Sequence, residues 1–182
     1  MKISGDLDLY AAQQEAARLA ARAQVRDIRL LRSSIEMERF PGHSVHLRWS
    51  MDTDIEAERD ENDGDAFVLR TKYTVKVNEV VTTVSSEEPR DLSASTEGSD
   101  DDEASLIADI SFEFAALFTV ERREDDSPVT DEELRAYSFT TGVFAMYPYA
   151  REYIYDTTGR VGLPPLTVGV LQLPVKRPVA TA

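Results

Sequence analysis

The chain has 182 residues, 42% of them hydrophobic, and sets 34 acidic side chains against 20 basic ones for a formal net charge of −14. That length suits one domain with one core, and so acidic a chain excludes nucleic acid and anionic membrane surfaces as partners. It has no cysteine, which rules out a disulfide framework, thiol catalysis and thiolate metal sites. The N-terminus lacks the apolar core of a signal peptide and no window approaches a membrane span, so a cytoplasmic protein is expected.

Residues 7 to 24 are rich in alanine, a strong helix former, and predict a helix with a shallow face of Leu9, Ala12, Ala16, Leu19, Ala20 and Ala23. Such a face packs closely on a neighbour or serves as an arm. From residue 24 to 40 the 3.6 period disappears. Ile28, Leu30, Leu31, Ile35 and Met37 predict a strand with a bulge where parity slips between Leu30 and Leu31. Pro41 and Gly42 make a turn. Val45, Leu47, Trp49 and Met51 then alternate with His46, Arg48 and Ser50, a half-buried second strand running on through Ile55 and Ala57 to a turn at residues 60 to 64.

The third strand, residues 65 to 84, is strictly period two. Phe67, Leu69, Thr71, Tyr73, Val75 and Val77 face one way, and Val68, Arg70, Lys72, Thr74 and Lys76 the other, as in an antiparallel sheet with one covered and one wet face. Residues 85 to 103 are acidic and rich in serine, without aromatics, and are expected to be a disordered loop. The fourth strand, residues 104 to 122, carries Leu106, Ala108, Ile110, Phe112, Phe114, Ala116, Phe118 and Val120 on one face and is expected to be central.

Thr130, Asp131, Glu132 and Glu133 form a capping box, with Thr130 as N-cap and Glu133 reaching back. The helix it opens leads through Gly142 into residues 143 to 166, where apolar residues are densest. There Met146, Tyr149, Ala150, Tyr153, Ile154 and Thr157 follow one helical stripe. Pro148 places a helix start near Tyr147, or a kink if the helix begins earlier. Gly159 or Gly162 stops it, and Pro164 and Pro165 forbid continuation. Beyond Leu166 a short strand or extended tail is expected as far as Leu173, and residues 174 to 182 are expected to be disordered. Residues 1 to 24 thus form a helical arm on a domain of residues 25 to 173. The domain is α+β: a four-stranded antiparallel sheet with helices packed on one face.

No enzymatic constellation stands out. His43 and His46 sit an odd distance apart on an extended strand, so they point to opposite faces and cannot share a metal. Residues 60 to 64 resemble a calcium loop, but the glycine comes one position early and no bidentate glutamate follows. Carboxylate pairs are too common here to mark a dyad, and there is no phosphate loop or nucleophile elbow. We therefore expect no catalysis, no metal and no cofactor. What does stand out is an aromatic surplus: Phe112, Phe114 and Phe118 on one strand face, then Tyr137, Phe139, Phe144, Tyr147, Tyr149, Tyr153 and Tyr155. Tyr147 and Tyr155 fall off the stripe of Tyr149 and Tyr153. One helix cannot bury both flanks against one sheet, so a second protomer or an exposed groove takes the rest.

The run Met146, Tyr147, Pro148, Tyr149, Ala150, Arg151, Glu152, followed by Gly159, Arg160 and then Leu163, Pro164, Pro165, Leu166, resembles the signature of the SecB chaperone family. Val68, Leu69 and Arg70 within their alternating strand resemble its third strand, and the segment Ala115, Ala116, Leu117, Phe118 resembles the end of its fourth, so the likeness spans about residues 25 to 170. The chain departs from export SecBs in its added N-terminal helix, its long acidic linker and its lack of a second C-terminal helix. In the first and last of these it is similar to the SecB-like chaperones encoded with toxin–antitoxin pairs, which bind an aggregation-prone extension of their antitoxin.

The resemblance implies an ATP-independent holdase for unfolded or nascent polypeptides, an antitoxin among them, with protein export through the SecA motor as a further role. It implies a homotetramer, a dimer of dimers, and points to Met146, Tyr149, Ala150, Tyr153 and Ile154 as its interface. The expected client groove draws on Leu31, Phe112, Phe114, Phe118, Phe139, Phe144, Tyr147, Leu163 and Leu166. The alternative is a single-partner binding protein of SecB fold without general holdase activity.

Overall fold

The computed structural model describes residues 9–42, 46–60, 63–80, 104–121 and 128–171. Helix α1 (Leu9–Ala20) leads into strands β1 (Ala23–Met37), β2 (His46–Arg59), β3 (Ala66–Val80) and β4 (Ala104–Val120). Helix α2 (Asp131–Tyr137) comes next, then a π-helical turn (Ser138–Gly142) and helix α3 (Val143–Arg160). The strands form one antiparallel sheet in the order β1-β4-β3-β2. This is the α+β architecture expected, with β4 and β3 central. Residues 85 to 103 and 174 to 182, and His43, lie outside the described residues.

The alternation in β3 and β4 does what it predicts from Ala108 onward; before it, a register shift opposite Val77 and Asn78 buries Ile107 in place of the expected Leu106. Leu69, Tyr73, Val75 and Val77 of β3 are buried together with Ala108, Ile110, Phe112, Ala116 and Phe118 of β4. Phe67 stacks on Phe118 with ring centres 4.9 Å apart, Tyr73 stacks on Phe112 at 5.0 Å, and Tyr137 meets Phe67 and Phe118 edge-on. Offset and edge-on aromatic pairs of this kind add to the free energy of burial. The opposite sheet face is polar. There the Glu113 carboxylate is nearly buried between the Arg32 guanidinium at 2.7 Å and that of Arg70 at 3.6 Å.

Strand β1 contains two register shifts, between Val25 and Asp27 and between Leu30 and Arg32. The second leaves Leu31 unpaired, where parity slips in the sequence. Each bulge flips the parity of the strand residues beyond it. As a result Val25, Ile28, Leu30, Ile35 and Met37 pair with Phe118, Ala116, Phe114, Ile110 and Ala108, so all five share one side of the sheet. A regular strand would have divided them between the faces.

Helix α1 buries Ala12, Ala16 and Leu19 and packs on α2 and the π-helical turn, the close approach that alanines permit. The capping box of α2 is complete: Thr130 Oγ1 accepts from the Glu133 N–H at 3.1 Å, and Glu133 Oε2 accepts from the Thr130 N–H at 2.9 Å. Arg18 of α1 reaches the same carboxylate at 3.8 Å.

One helical expectation is resolved and one corrected. Pro148 does not open α3; of the two placements the earlier beginning holds, with the helix starting at Val143 and running through the proline without a break. The ring is exposed, and Phe144, whose carbonyl loses its acceptor role, lies on the exposed flank, so the missing bond falls on the wet side. The buried stripe of α3 is Val143, Met146, Tyr147, Ala150, Ile154, Thr157 and Thr158. Tyr147 is therefore inside, and Tyr149, 45% exposed, is outside. The irregularity that sets this phase is the π-helical turn, where the Ser138 and Thr140 hydroxyls donate back to the Leu134 and Ala136 carbonyls at 2.7 Å.

Candidate functional site

The end of α3 shapes an open apolar cleft. Gly162 has φ +81°, in the left-handed region, and two bonds close the helix: Gly162 N–H to the Gly159 carbonyl at 3.2 Å and Leu163 N–H to the Thr158 carbonyl at 3.0 Å. This is a Schellman turn, which needs a residue free of Cβ strain at its positive-φ position. It turns the chain sharply and buries Leu163. Leu163, Pro164, Pro165 and Leu166 then form one wall of a cleft of about 500 Å³. Pro41, Gly42 and His46 close its end, and Leu47, Trp49 and Val77 line it from the sheet. Because β2 is an edge strand, Leu47 and Trp49 are only half covered.

From there the chain runs back along α3 in extended form. The Leu166 N–H donates to Thr158 Oγ1 at 3.0 Å, and the Tyr147 hydroxyl donates to the Gly169 carbonyl at 2.8 Å. Burial raises the Tyr147 pKa against the opposing Arg151 charge, so the hydroxyl stays protonated and able to donate.

A second apolar surface lies at the other sheet edge. Val25, Leu30, Leu31, Ile35 and Met37 of β1 are each between 37% and 46% exposed. Tyr153 of α3 leans over this edge, its ring 4.5 Å from Phe112 and 5.9 Å from Phe114, and its hydroxyl shares a hydrogen bond with Ser33 of β1. Tyr149 lies beside it, 6.5 Å from Phe114.

The nine residues expected in a groove therefore part company. Leu163 and Leu166 line the cleft, and Tyr147 holds the segment that leaves it. Leu31 and Phe144 are exposed, Leu31 at the β1 bulge and Phe144 at the start of α3. Phe114 is buried under Tyr149 and Tyr153, and Phe139 is half-buried in the π-helical turn. Phe112 and Phe118, each 1% exposed, are core and line no groove in this fold: Tyr73 and Phe67 stack beside them on β3, and Tyr153 and Tyr137 meet them from the helices. Of the five residues expected at an interface, Met146, Ala150 and Ile154 are wholly covered by the chain's own fold, which leaves Tyr149 and Tyr153 on the surface. Trp49, Leu47, Pro41 and Val77 are cleft residues that no motif marked. Their signal was the alternation of Leu47, Trp49 and Met51, which needed the added knowledge that this strand is an edge.

Among the described residues no group of three or more His, Asp or Glu side chains is placed to hold a metal, and no helix is long and apolar enough to cross a membrane.

The geometry thus defines an α+β protein with two open apolar surfaces, one at each edge of its sheet. No family model matches the sequence. Two curated proteins of Mycobacterium tuberculosis, the SecB-like chaperones MT2006 and Rv1957, are each 42% identical to it over 170 residues, 93% of this chain and 87% of theirs. A solved structure of the Mycobacterium tuberculosis Rv1957 SecB-like chaperone, in complex with a ChAD peptide from the Rv1956 HigA1 antitoxin, superposes with a TM-score of 0.69 at 38% identity. That match covers 90% of this chain and 99% of the other. The chain belongs to the SecB-like chaperones. Its relatives bear the names of chaperones and not of enzymes.

Proposed function

We propose that this protein is an ATP-independent holdase of the cytoplasm that binds extended, apolar segments of unfolded polypeptides, with an antitoxin as its principal client. The observation that carries this reading is the open cleft between Leu47 and Trp49 on one side and residues 163–166 on the other. An extended chain presents side chains at period two, and a groove with an apolar wall takes them with little demand on sequence. The relative bound to an antitoxin peptide supports the choice of client. The net charge of −14 keeps a surface with such patches in solution.

The exposed edge of β1 supports self-association. A strand of 15 residues with five exposed apolar side chains is an aggregation hazard when left bare. A second copy laid against β1, Tyr149 and Tyr153 would cover it, and two such pairs give the dimer of dimers. Export through SecA would draw on the same cleft, with clients passed on to the motor.

Diluting a denatured client into buffer with and without stoichiometric protein, in the absence of ATP, tests the holdase. Light scattering should fall, and an unchanged trace would sink the reading. A narrower function, dedicated to a single partner, is favoured by the antitoxin peptide on the relative. Co-purification separates the two: one stoichiometric partner supports the narrow form, and a broad set of bound chains the general one.

A further inference from the structure

Residues 163–171 have the character of a client. After the Schellman turn they form no regular element. Leu163 and Val168 are buried, Leu166 and Leu171 half-buried, and Pro164, Pro165, Thr167, Gly169 and Val170 face solvent. The segment lies along α3, beginning at Thr158 and passing Tyr147. Its first residues wall the cleft opposite Trp49. So where the cleft assigned to the client continues along α3, beyond its wall of residues 163–166, an extended apolar stretch of the chain itself already lies, residues 167–171.

The segment is also lightly held. Among the described residues, 164–171 make no backbone-to-backbone hydrogen bond. Two side-chain bonds fix their backbone, from Leu166 to Thr158 and from Tyr147 to Gly169. The rest is apolar burial, led by Val168 at 3% exposure. Few backbone bonds and a single buried anchor describe a segment that opens well before the sheet does.

We propose that residues 167–171 are a self-bound strap: they occupy the continuation of the cleft along α3 in the free protein and are displaced when an extended apolar polypeptide binds, while residues 163–166 stay in place as the cleft wall. The proposal rests on the holdase reading and adds its regulation. A site occupied by its own chain most of the time binds client more weakly by the fraction of molecules in which it is free. The strap thereby excludes weak, short or transient segments and yields to those with enough apolar length to replace Val168 and Leu171.

The chain has no cysteine, so one label is unambiguous. Val170, 73% exposed, takes a nitroxide as Val170→Cys without disturbing the seat. Reduced, carboxymethylated α-lactalbumin, which cannot refold, serves as client. Its affinity is measured by anisotropy for the parent chain, for Val168→Ser and for Val170→Ser as control. Saturating client should convert the nitroxide spectrum from restricted to mobile. Val168→Ser should be mobile without client and bind it about tenfold more tightly, with Val170→Ser unchanged. Binding by Val168→Ser alone would support the strap in its strongest form.

Client binding with an unmoved nitroxide and equal affinities would overturn the strap and leave the holdase standing. Weaker binding by Val168→Ser with an unmoved nitroxide would make the segment part of the site and overturn the proposal. Binding by neither chain would overturn both readings. Should Val168→Ser fail to fold, the nitroxide response of the Val170→Cys chain decides alone.

Discussion

A methyl group placed on Gly142 would meet Leu69 Cδ2 at 2.7 Å and the Tyr137 carbonyl oxygen at 3.3 Å. Gly142 closes the π-helical turn, and Leu69, wholly buried on β3, fills the space a side chain would need. Gly142→Ala overpacks this seam and should cost about 1–3 kcal/mol. Urea unfolding at fixed protein concentration measures it. Leu69→Ala removes the opposing atom, so the double variant should be more stable than the sum of the two single losses predicts. Strict additivity would show that the two residues do not press on each other.

The N-terminus of α2 depends on one hydroxyl. Thr130→Ala removes the acceptor of the Glu133 N–H and frees the Glu133 side chain that answers it. A loss of about 1 kcal/mol is expected in thermal or urea unfolding. Because Glu133 also faces Arg18 of α1, amide exchange in α1 should rise as well. Exchange confined to α2 would mean that the two helices are docked independently of the cap.

Much of the fold is legible in the sequence because a strand's period of two leaves a direct trace. Phe67 to Val77 and Ala108 to Val120 announce their faces, and the parity slip at Leu31 announces its bulge. Thr130 and Glu133 announce a cap by spacing alone. The phase of α3 is less visible, since Tyr147, Tyr149 and Tyr153 make both flanks aromatic and hydrophobicity cannot rank them. The π-helical turn before it shifts the phase again, and no residue pattern of the helix itself encodes that. Phe112 and Phe118 look like groove residues even on a strand expected to be central; the order β1-β4-β3-β2 agrees with that position, and it takes the rings of Tyr73, Phe67, Tyr153 and Tyr137 around them to show that they are core. Trp49 looks like an ordinary half-buried residue until the same order puts β2 at the edge. Strand order comes from pairing across the whole chain, which a local pattern does not contain.

Tyr73 and Tyr137 should titrate late. Burial pushes both from an ordinary value of 10.0 up to about 12, with the Thr71 hydroxyl partly opposing the rise at Tyr73. A folded pKa above the unfolded one means that the stabilisation is intact below pH 10. It falls as the pH climbs toward 12, because the unfolded chain sheds its phenolic protons first. The loss approaches roughly 2–3 kcal/mol for each residue. Phenolate absorbance should therefore show a late step coincident with loss of secondary structure. A single transition near pH 10 with the fold intact would contradict the buried hydroxyls.

Tyr149→Asp places a carboxylate beside Phe114 on the half-open flank of α3. If a second copy covers this flank, the charge must be desolvated on assembly, and the oligomer should weaken or dissociate. Light scattering after size exclusion reads the mass directly. Tyr155→Asp, at a position 54% exposed, is the matched control. Equal masses for both variants and the parent would move the interface away from Tyr149.

Trp49 is the chain's one tryptophan and lines the cleft. Its emission is therefore a direct report on whatever enters. An extended apolar peptide without tryptophan should shift the emission to the blue as water leaves the indole, and saturation should track binding measured independently. Trp49→Ala removes a large apolar wall, and a comparable aromatic anchor at an interface contributes about 2 kcal/mol or more, so affinity should fall about thirtyfold. Because Trp49 is only half-buried on an edge strand, the fold should tolerate the change. Undiminished affinity with unchanged emission would place the client on the β1 and α3 surface, where Leu30, Ile35 and Tyr149 become the residues to substitute next.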